Sequence, residues 1–177
     1  AGAIYQGSID LVSVEPGPSK EKYLYVPDGV PNDDDDGGAS PYEVMTIALG
    51  CFWGGELEYM RMPGVLGTAV GYTQGPPTPN PPTYEQVCSG TTGHTEAIQL
   101  IYDPRTVSYQ SLVRVGIERL GESRNLLNQA GNDRGTQYRH GVYYHNDAQK
   151  AMAMDVIGGY GGKCVTECLP AGGFWDA

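Results

Sequence analysis

Apolar and polar positions switch between two periods along the chain, and the switches mark its elements. Val44 to Leu49 is a short, β-prone apolar run that stops at Gly50; Trp53, Leu57 and Met60 then fall at i, i+4 and i+7. This reads as strand, tight turn and helix, with Pro63-Gly64 ending the helix. Val65 to Tyr72 is the next predicted strand, and Gln74 to Pro82 is too Pro-rich to pair in a sheet. After an excursion reaching Gly93, Glu96 to Tyr102 alternates, with Ile98, Leu100 and Tyr102 on one face of a half-buried strand that Asp103-Pro104 ends. Tyr109, Leu112, Val113, Ile117 and Leu120 keep helical spacing, with Ser108 or Thr106 available as cap and Gly121 just past the end. Asn125 to Gln137 is polar loop, Tyr138 to His145 a strand, Asn146-Asp147 the cap of a short helix to about Ile157, and Lys163 to Leu169 a last strand.

The order is β-α-β-β-α-β followed by a short helix and one more strand. It predicts an α+β fold, a ferredoxin-like βαββαβ sandwich with a mixed sheet, helices over one face, and long loop and terminal extensions. Residues 1–43 read as an extended acidic arm punctuated by Pro and Gly, and 44–177 as the functional domain. The run Asp33 to Asp36 is expected to be a solvated, self-repelling turn.

Composition narrows the function classes. With 177 residues and 40% hydrophobic positions, a single core is affordable, while Gly 26 and Pro 13 call for many turns. Lys+Arg 11 against Asp+Glu 21 leaves a formal charge of −10, and no basic stripe offsets it, so nucleic-acid binding is not expected. No apolar run approaches the roughly 18 residues needed to cross a bilayer. The first residue is Ala1, compatible with a removed presequence, so cytoplasmic and organellar settings (plastid or mitochondrion) are both expected.

Cys51 carries the local chemistry. It follows a strand and a glycine and opens a helix, so unpaired backbone N–H groups and the positive helix end would point at its sulfur, the setting of a reactive thiol. Phe52 and Trp53 beside it are costly to leave in water unless they line a pocket or enter the core. A reactive sulfur against an apolar wall suits a small, partly apolar substrate; a buried helix-start cysteine among core aromatics fits the same local pattern equally well. His94 invites a reading as base or metal ligand. However, the histidines at 94, 140 and 145 fall on different elements, with neither HExxH nor a Cys/His zinc spacing, and a structural hydrogen-bonding role is the better reading.

Longer motifs decide between these readings. GCFWGGE at 50–56, PGV at 63–65, GYTQG at 71–75, PTYEQVCSGTTGHTEA at 82–97, GNDRGTQYR at 131–139 and VTECLPAGGFW at 165–175 occur in one order. Together they resemble the A-type peptide-methionine sulfoxide reductases. The resemblance implies a thiol-dependent reductase of methionine-S-sulfoxide, free or in proteins, that repairs oxidised proteins. It needs no bound cofactor or metal and draws electrons from an external dithiol such as thioredoxin. Cys51 matches the nucleophile that becomes a sulfenic acid, and Phe52 and Trp53 match the pocket for the substrate's ε-methyl group. Glu96 matches the carboxylate acid, and Tyr84, Asp133 and Tyr138 match the polar residues around the sulfoxide oxygen. Chemistry agrees with those types, since breaking S=O requires protonating an oxygen that gains negative charge. A family-derived structural or binding subunit of a larger assembly is the alternative.

The match has departures. The chain ends before the Glu-x-Tyr-His-Gln segment and the cysteine-bearing tail that usually follow, the stretch from Gln149 to Val165 is short, and Gly121 to Asn125 stands where His-Asp-Pro is common. Of the remaining cysteines, Cys88 is a weak candidate for resolving Cys51. Cys164 and Cys168 on one strand would sit about 13 Å apart, too far to bond. All three are expected to be inert thiols.

Overall fold

The computed structural model describes residues 10–14, 22–26 and 41–177. The acidic run Asp33 to Asp36 lies outside them. β1 (Asp10–Val14) pairs antiparallel with β2 (Lys22–Val26).

The remaining chain builds a six-stranded sheet. In chain order it contributes β3 (Glu43–Leu49), α1 (Phe52–Tyr59), β4 (Val65–Thr73), α2 (Tyr84–Cys88), β5 (Thr95–Tyr102) and α3 (Tyr109–Leu120). A small hairpin of β6 (Gln129–Ala130) and β7 (Asp133–Arg134) precedes β8 (His140–Tyr144), α4 (Asp147–Gly158), β9 (Glu167–Pro170) and β10 (Phe174–Asp176). The sheet order is β10-β4-β5-β3-β8-β9. Its neighbours are antiparallel except β8 and β9, which run parallel, so the sheet is mixed and the class is α+β.

Alternation along the strands sorts the two faces. Met45, Ile47 and Leu49 of β3, Ile98, Leu100 and Tyr102 of β5, and Val142 of β8 pack with Phe52, Tyr59, Leu112, Ile117 and Val156 from the helices. Ala48, Ala97, Tyr143 and Phe174 form a second, smaller cluster. The helix predicted from Tyr109 to Leu120 forms with Ser108 as cap, its hydroxyl accepting from the Ser111 N–H at 3.2 Å. Asn146 caps α4 in the same way through Gln149 at 2.8 Å.

Three expectations are corrected. The Trp53, Leu57 and Met60 stripe does mark a helix, but these residues are 67%, 52% and 60% exposed, and the buried side of α1 is Phe52, Gly55 and Tyr59. Gly55 takes that place because a β-carbon there would overlap the tip of Ile98, with Leu49 already in contact beside it. The last strand begins at Glu167 rather than Lys163, because the chain turns at Cys164, whose N–H donates to Gly161 at 3.2 Å. Cys164 is therefore not on a strand with Cys168, and the spacing argument for that pair does not apply. β5, expected to be half-buried, is buried at every residue, since β3 and β4 flank it and both its faces are covered. Phe174 to Asp176 adds an edge strand that the sequence pattern does not announce.

Candidate active site

The turn out of β3 places the sulfur. Gly50 has φ +79, and a side chain there would run into the Ala130 methyl, so the tight turn both requires glycine and brings the β6 hairpin close. Cys51 then caps α1 with no hydrogen bond from its own side chain, and its residue is exposed. The next two residues diverge. Phe52 is buried at 4% exposure, while Trp53 stays out, their rings 6.5 Å apart.

Glu96 comes from β5, one alternation before Ile98, so it shares the helix-facing side and lies beneath the start of α1. It is 2% exposed. Its Oε2 accepts the Phe52 N–H at 3.1 Å, one of the amides a helix start leaves unpaired. Burial pushes the Glu96 carboxyl above the ordinary 4.5; the Asp133 charge adds to this, and the Phe52 hydrogen bond opposes it. Desolvation is the larger influence, so this buried acid keeps its proton to higher pH than a surface glutamate.

Phenols from two other segments interact electrostatically with that carboxyl. Tyr138 follows the β7 hairpin, and burial with the Glu96 charge pushes its phenol up to about 12. Tyr84 opens α2, whose cap Thr83 forms a reciprocal box with Gln86. Tyr84 is 53% exposed, and its pKa is raised by the neighbouring Cys88 first and more weakly by Glu96 and Cys51. Asp133 on β7 is exposed, and its charge reaches both Glu96 and Tyr138. The structure thus brings Cys51, Phe52, Glu96, Tyr84, Tyr138 and Asp133 to one end of the sheet, with Trp53 on the outer side of the same helix start.

Tyr72 belongs to this group, and sequence reasoning missed it. It stands directly opposite Glu96 in the β4–β5 register, is 2% exposed, and its ring lies 6.0 Å from Phe52. Burial and the Glu96 charge push its phenol up to about 12. GYTQG contains it, but only the strand register reveals its partner. Cys88, partly buried at the end of α2, lies near the same group and contributes to the raised pKa of Tyr72, Tyr84 and Tyr138.

His94 is 3% exposed with its pKa lowered by burial, and its Nδ1 has no partner, so the expected hydrogen-bonding role is not met at that atom. Among the described residues no group of three His, Cys, Asp or Glu converges as a metal site. Cys168 packs against the helix-side core, away from Cys51.

Comparison with known proteins follows the same outline. Residues 43–177 match the family described as "Peptide methionine sulfoxide reductase". A protein of that name from Brassica napus and the A4, chloroplastic form from Arabidopsis thaliana are each 43% identical over 148 residues, 81% of this chain and 56% of theirs. MsrA 1 of Caulobacter vibrioides is 43% identical over 143 residues, 76% of this chain and 64% of its own. The chain therefore spans between 56% and 64% of the length of these relatives. Methionine sulfoxide reductase A of Corynebacterium diphtheriae superposes with a TM-score of 0.71 at 35% identity, covering 79% of this chain and 72% of that one. Reduced Mxr1 of Saccharomyces cerevisiae gives 0.69 at 30% identity, covering 77% and 80%. Mxr1 in complex with Trx2 shares the fold at 20% identity and a TM-score of 0.51, covering 77% and 81%.

Proposed function

The chain belongs to the peptide methionine sulfoxide reductase family, and from that premise we propose that it reduces methionine-S-sulfoxide, free or in proteins, through a sulfenic acid on Cys51. The observation that carries the reading is the buried Glu96 carboxyl, hydrogen-bonded to the first amide of α1 beside an exposed Cys51. A structural subunit has no use for a desolvated acid beside an exposed thiol, so the enzyme reading is preferred to a binding role.

The roles follow from the chemistry. Phe52 and Trp53 hold the ε-methyl group, and Cys51 attacks the sulfoxide sulfur. Glu96 gives its proton to the departing oxygen, and the phenols of Tyr84 and Tyr138, with Asp133 near them, take up the developing charge. The S=O bond breaks as the oxygen, protonated by Glu96 and by the proton of the Cys51 thiol, leaves as water. Water then attacks the Cys51 sulfur of the resulting Cys51–sulfonium bond, so methionine leaves with its sulfur reduced by two electrons and Cys51 holds one oxygen as sulfenic acid. No metal or bound cofactor is needed. A dithiol protein returns Cys51 to the thiol, the class of partner with which yeast Mxr1 has been solved.

The strand order β8-β3-β5-β4 with α1 and α3 as crossovers supports reading the central unit as the ferredoxin-like βαββαβ sandwich, residues 44–177 being the catalytic domain and 1–43 an arm. A cytoplasmic or an organellar setting suits the chain; the Arabidopsis A4 relative carries the chloroplastic label.

Exposing the protein to separated sulfoxide epimers without reductant tests the function. The S epimer is expected to yield one equivalent of methionine and a single added oxygen at Cys51 by peptide mass. Cys51→Ser should give neither, and methionine release from that variant rejects the mechanism.

A further inference from the structure

An open groove of about 520 Å³ runs between α1 and α3, and its lining includes neither Cys51 nor Glu96. Leu57 and Met62 on one side and Val115 on the other give it apolar walls, while Arg61 and Arg119 supply two cations. The exposed ridge of Trp53, Leu57 and Met60 lies alongside it on α1, starting next to the reactive sulfur. These residues spend apolar surface on solvent, although the buried side of the same helix is filled by others.

Arg119 is held close to the site. Any side chain at Gly54 would collide with its guanidinium, so that group lies on the α1 backbone within a turn of Cys51. Nη1 of Arg119 donates to Glu58 Oε2 at 2.9 Å, and among the described residues Arg61 pairs with no carboxylate. Two arginines around one glutamate are a local reversal of sign in a chain of net charge −10.

We infer that this groove receives the polypeptide flanking the oxidised methionine of a protein substrate, with an aliphatic side chain between Leu57 and Val115 and an acidic one at Arg61 and Arg119. The inference rests on the methionine sulfoxide reading of Cys51 and names the substrate sequence that reading leaves open. Continuity supports it, since one helix carries the sulfur at its start and the groove along its length. Charge complementarity supports it too: Arg61 and Arg119 against the single Glu58 give this groove a positive lining in a chain of net charge −10. The end of α1 at Tyr59 lies about 12 Å along the helix axis from Cys51 at roughly 1.5 Å per residue, and Arg61 follows in the turn just beyond it. An extended peptide covers that span in about four or five residues at roughly 3.3 Å each.

The test uses fluorescein-labelled peptides with a central methionine-S-sulfoxide and either Leu-Glu or Leu-Lys placed four and five residues to each side. They are titrated by anisotropy at low salt against the full chain carrying Cys51→Ser. The glutamate peptide is expected to bind at least about tenfold more tightly than the lysine peptide, as electrostatic complementarity at a close charge pair allows. Adding Arg61→Gln, an exposed position beyond the end of α1, should bring the two within about twofold, and Leu57→Ser should weaken both. Equal affinities in the parent, or a preference that survives Arg61→Gln, overturn the inference. So does an Arg61→Gln effect confined to the KM for thioredoxin, which gives the groove to the reductant instead. Turnover of free methionine sulfoxide with dithiothreitol, measured on Cys51-containing protein, should be unchanged by Arg61→Gln. If the unsubstituted protein fails there, the reading of Cys51 falls while the peptide affinities still report on the groove.

Discussion

The main-chain N–H of Phe52 donates to Oε2 of Glu96 at 3.1 Å, across 44 residues of sequence. The bond ties the helix that carries Cys51 to the acid on β5, and it sets two influences on Glu96 against each other. Donation to the carboxylate favours ionisation, burial disfavours it, and burial wins, so the proton is held above the ordinary carboxylate range.

A proton donor of this kind works only while it is protonated, so the rate of Cys51 oxidation by sulfoxide should fall as pH rises through the raised Glu96 pKa. Glu96→Gln keeps the shape and removes the proton. In single-turnover measurements it should be slower by about a hundredfold or more, within the range for general acids, and should lose that falling limb. A variant that retains both the rate and the limb assigns the acid elsewhere.

The same shift has a stability sign. In the folded state Glu96 binds its proton more tightly than in the unfolded chain, so its contribution is fully present below the ordinary 4.5 and is lost as pH rises through the folded value. Glu96→Gln, which cannot ionise, should therefore unfold at a higher temperature than the parent at neutral to alkaline pH, with the difference closing toward acid pH. Thermal scans across that range check it; a variant less stable at pH 8 means that the Phe52 bond outweighs burial.

Phe52 and Trp53 are adjacent aromatics with opposite fates. Phe52 packs against Tyr72 and is 4% exposed, whereas Trp53 is 67% exposed. Phe52→Ala should cost about 3 kcal/mol or more in denaturant unfolding. Trp53→Ala should stay within about 0.5 kcal/mol, yet raise the KM for sulfoxide under the substrate-pocket role proposed for its ring. Equal stability losses from the two would contradict this division.

That division also marks where the sequence was legible. Alternation made the strand and its Ile98, Leu100 and Tyr102 face legible, and spacing with a terminating glycine did the same for α3; Glu96 was identified only through its motif, although it shares the parity of that face. Helical spacing at Trp53, Leu57 and Met60 identified α1 but not its inner side. Hydropathy does not distinguish an apolar residue serving the core from one serving a ligand, and the small Gly55 that lets Ile98 approach has no apolar signature. Tyr72 was unreadable for a different reason: its pairing with Glu96 depends on the register between β4 and β5, which long-range contacts fix. The shift of the last strand to Glu167 has the same origin, since that segment is ordered by its parallel pairing with β8.

Gly50 offers the sharpest test of how the turn aims the sulfur. Its φ of +79 belongs to the left-handed region, and a β-carbon there would overlap the Ala130 methyl of the hairpin that leads to Asp133 and Tyr138. Gly50→Ala should cost about 2 kcal/mol from the backbone alone, and the overlap should push the hairpin away from Cys51. Ala130→Gly removes the obstructing methyl but not the backbone cost. The double variant should therefore recover much of the single-turnover rate lost in Gly50→Ala while regaining only part of its stability. If stability and rate recover together, contact with Ala130 accounts for the whole requirement; if neither recovers, the left-handed backbone alone does.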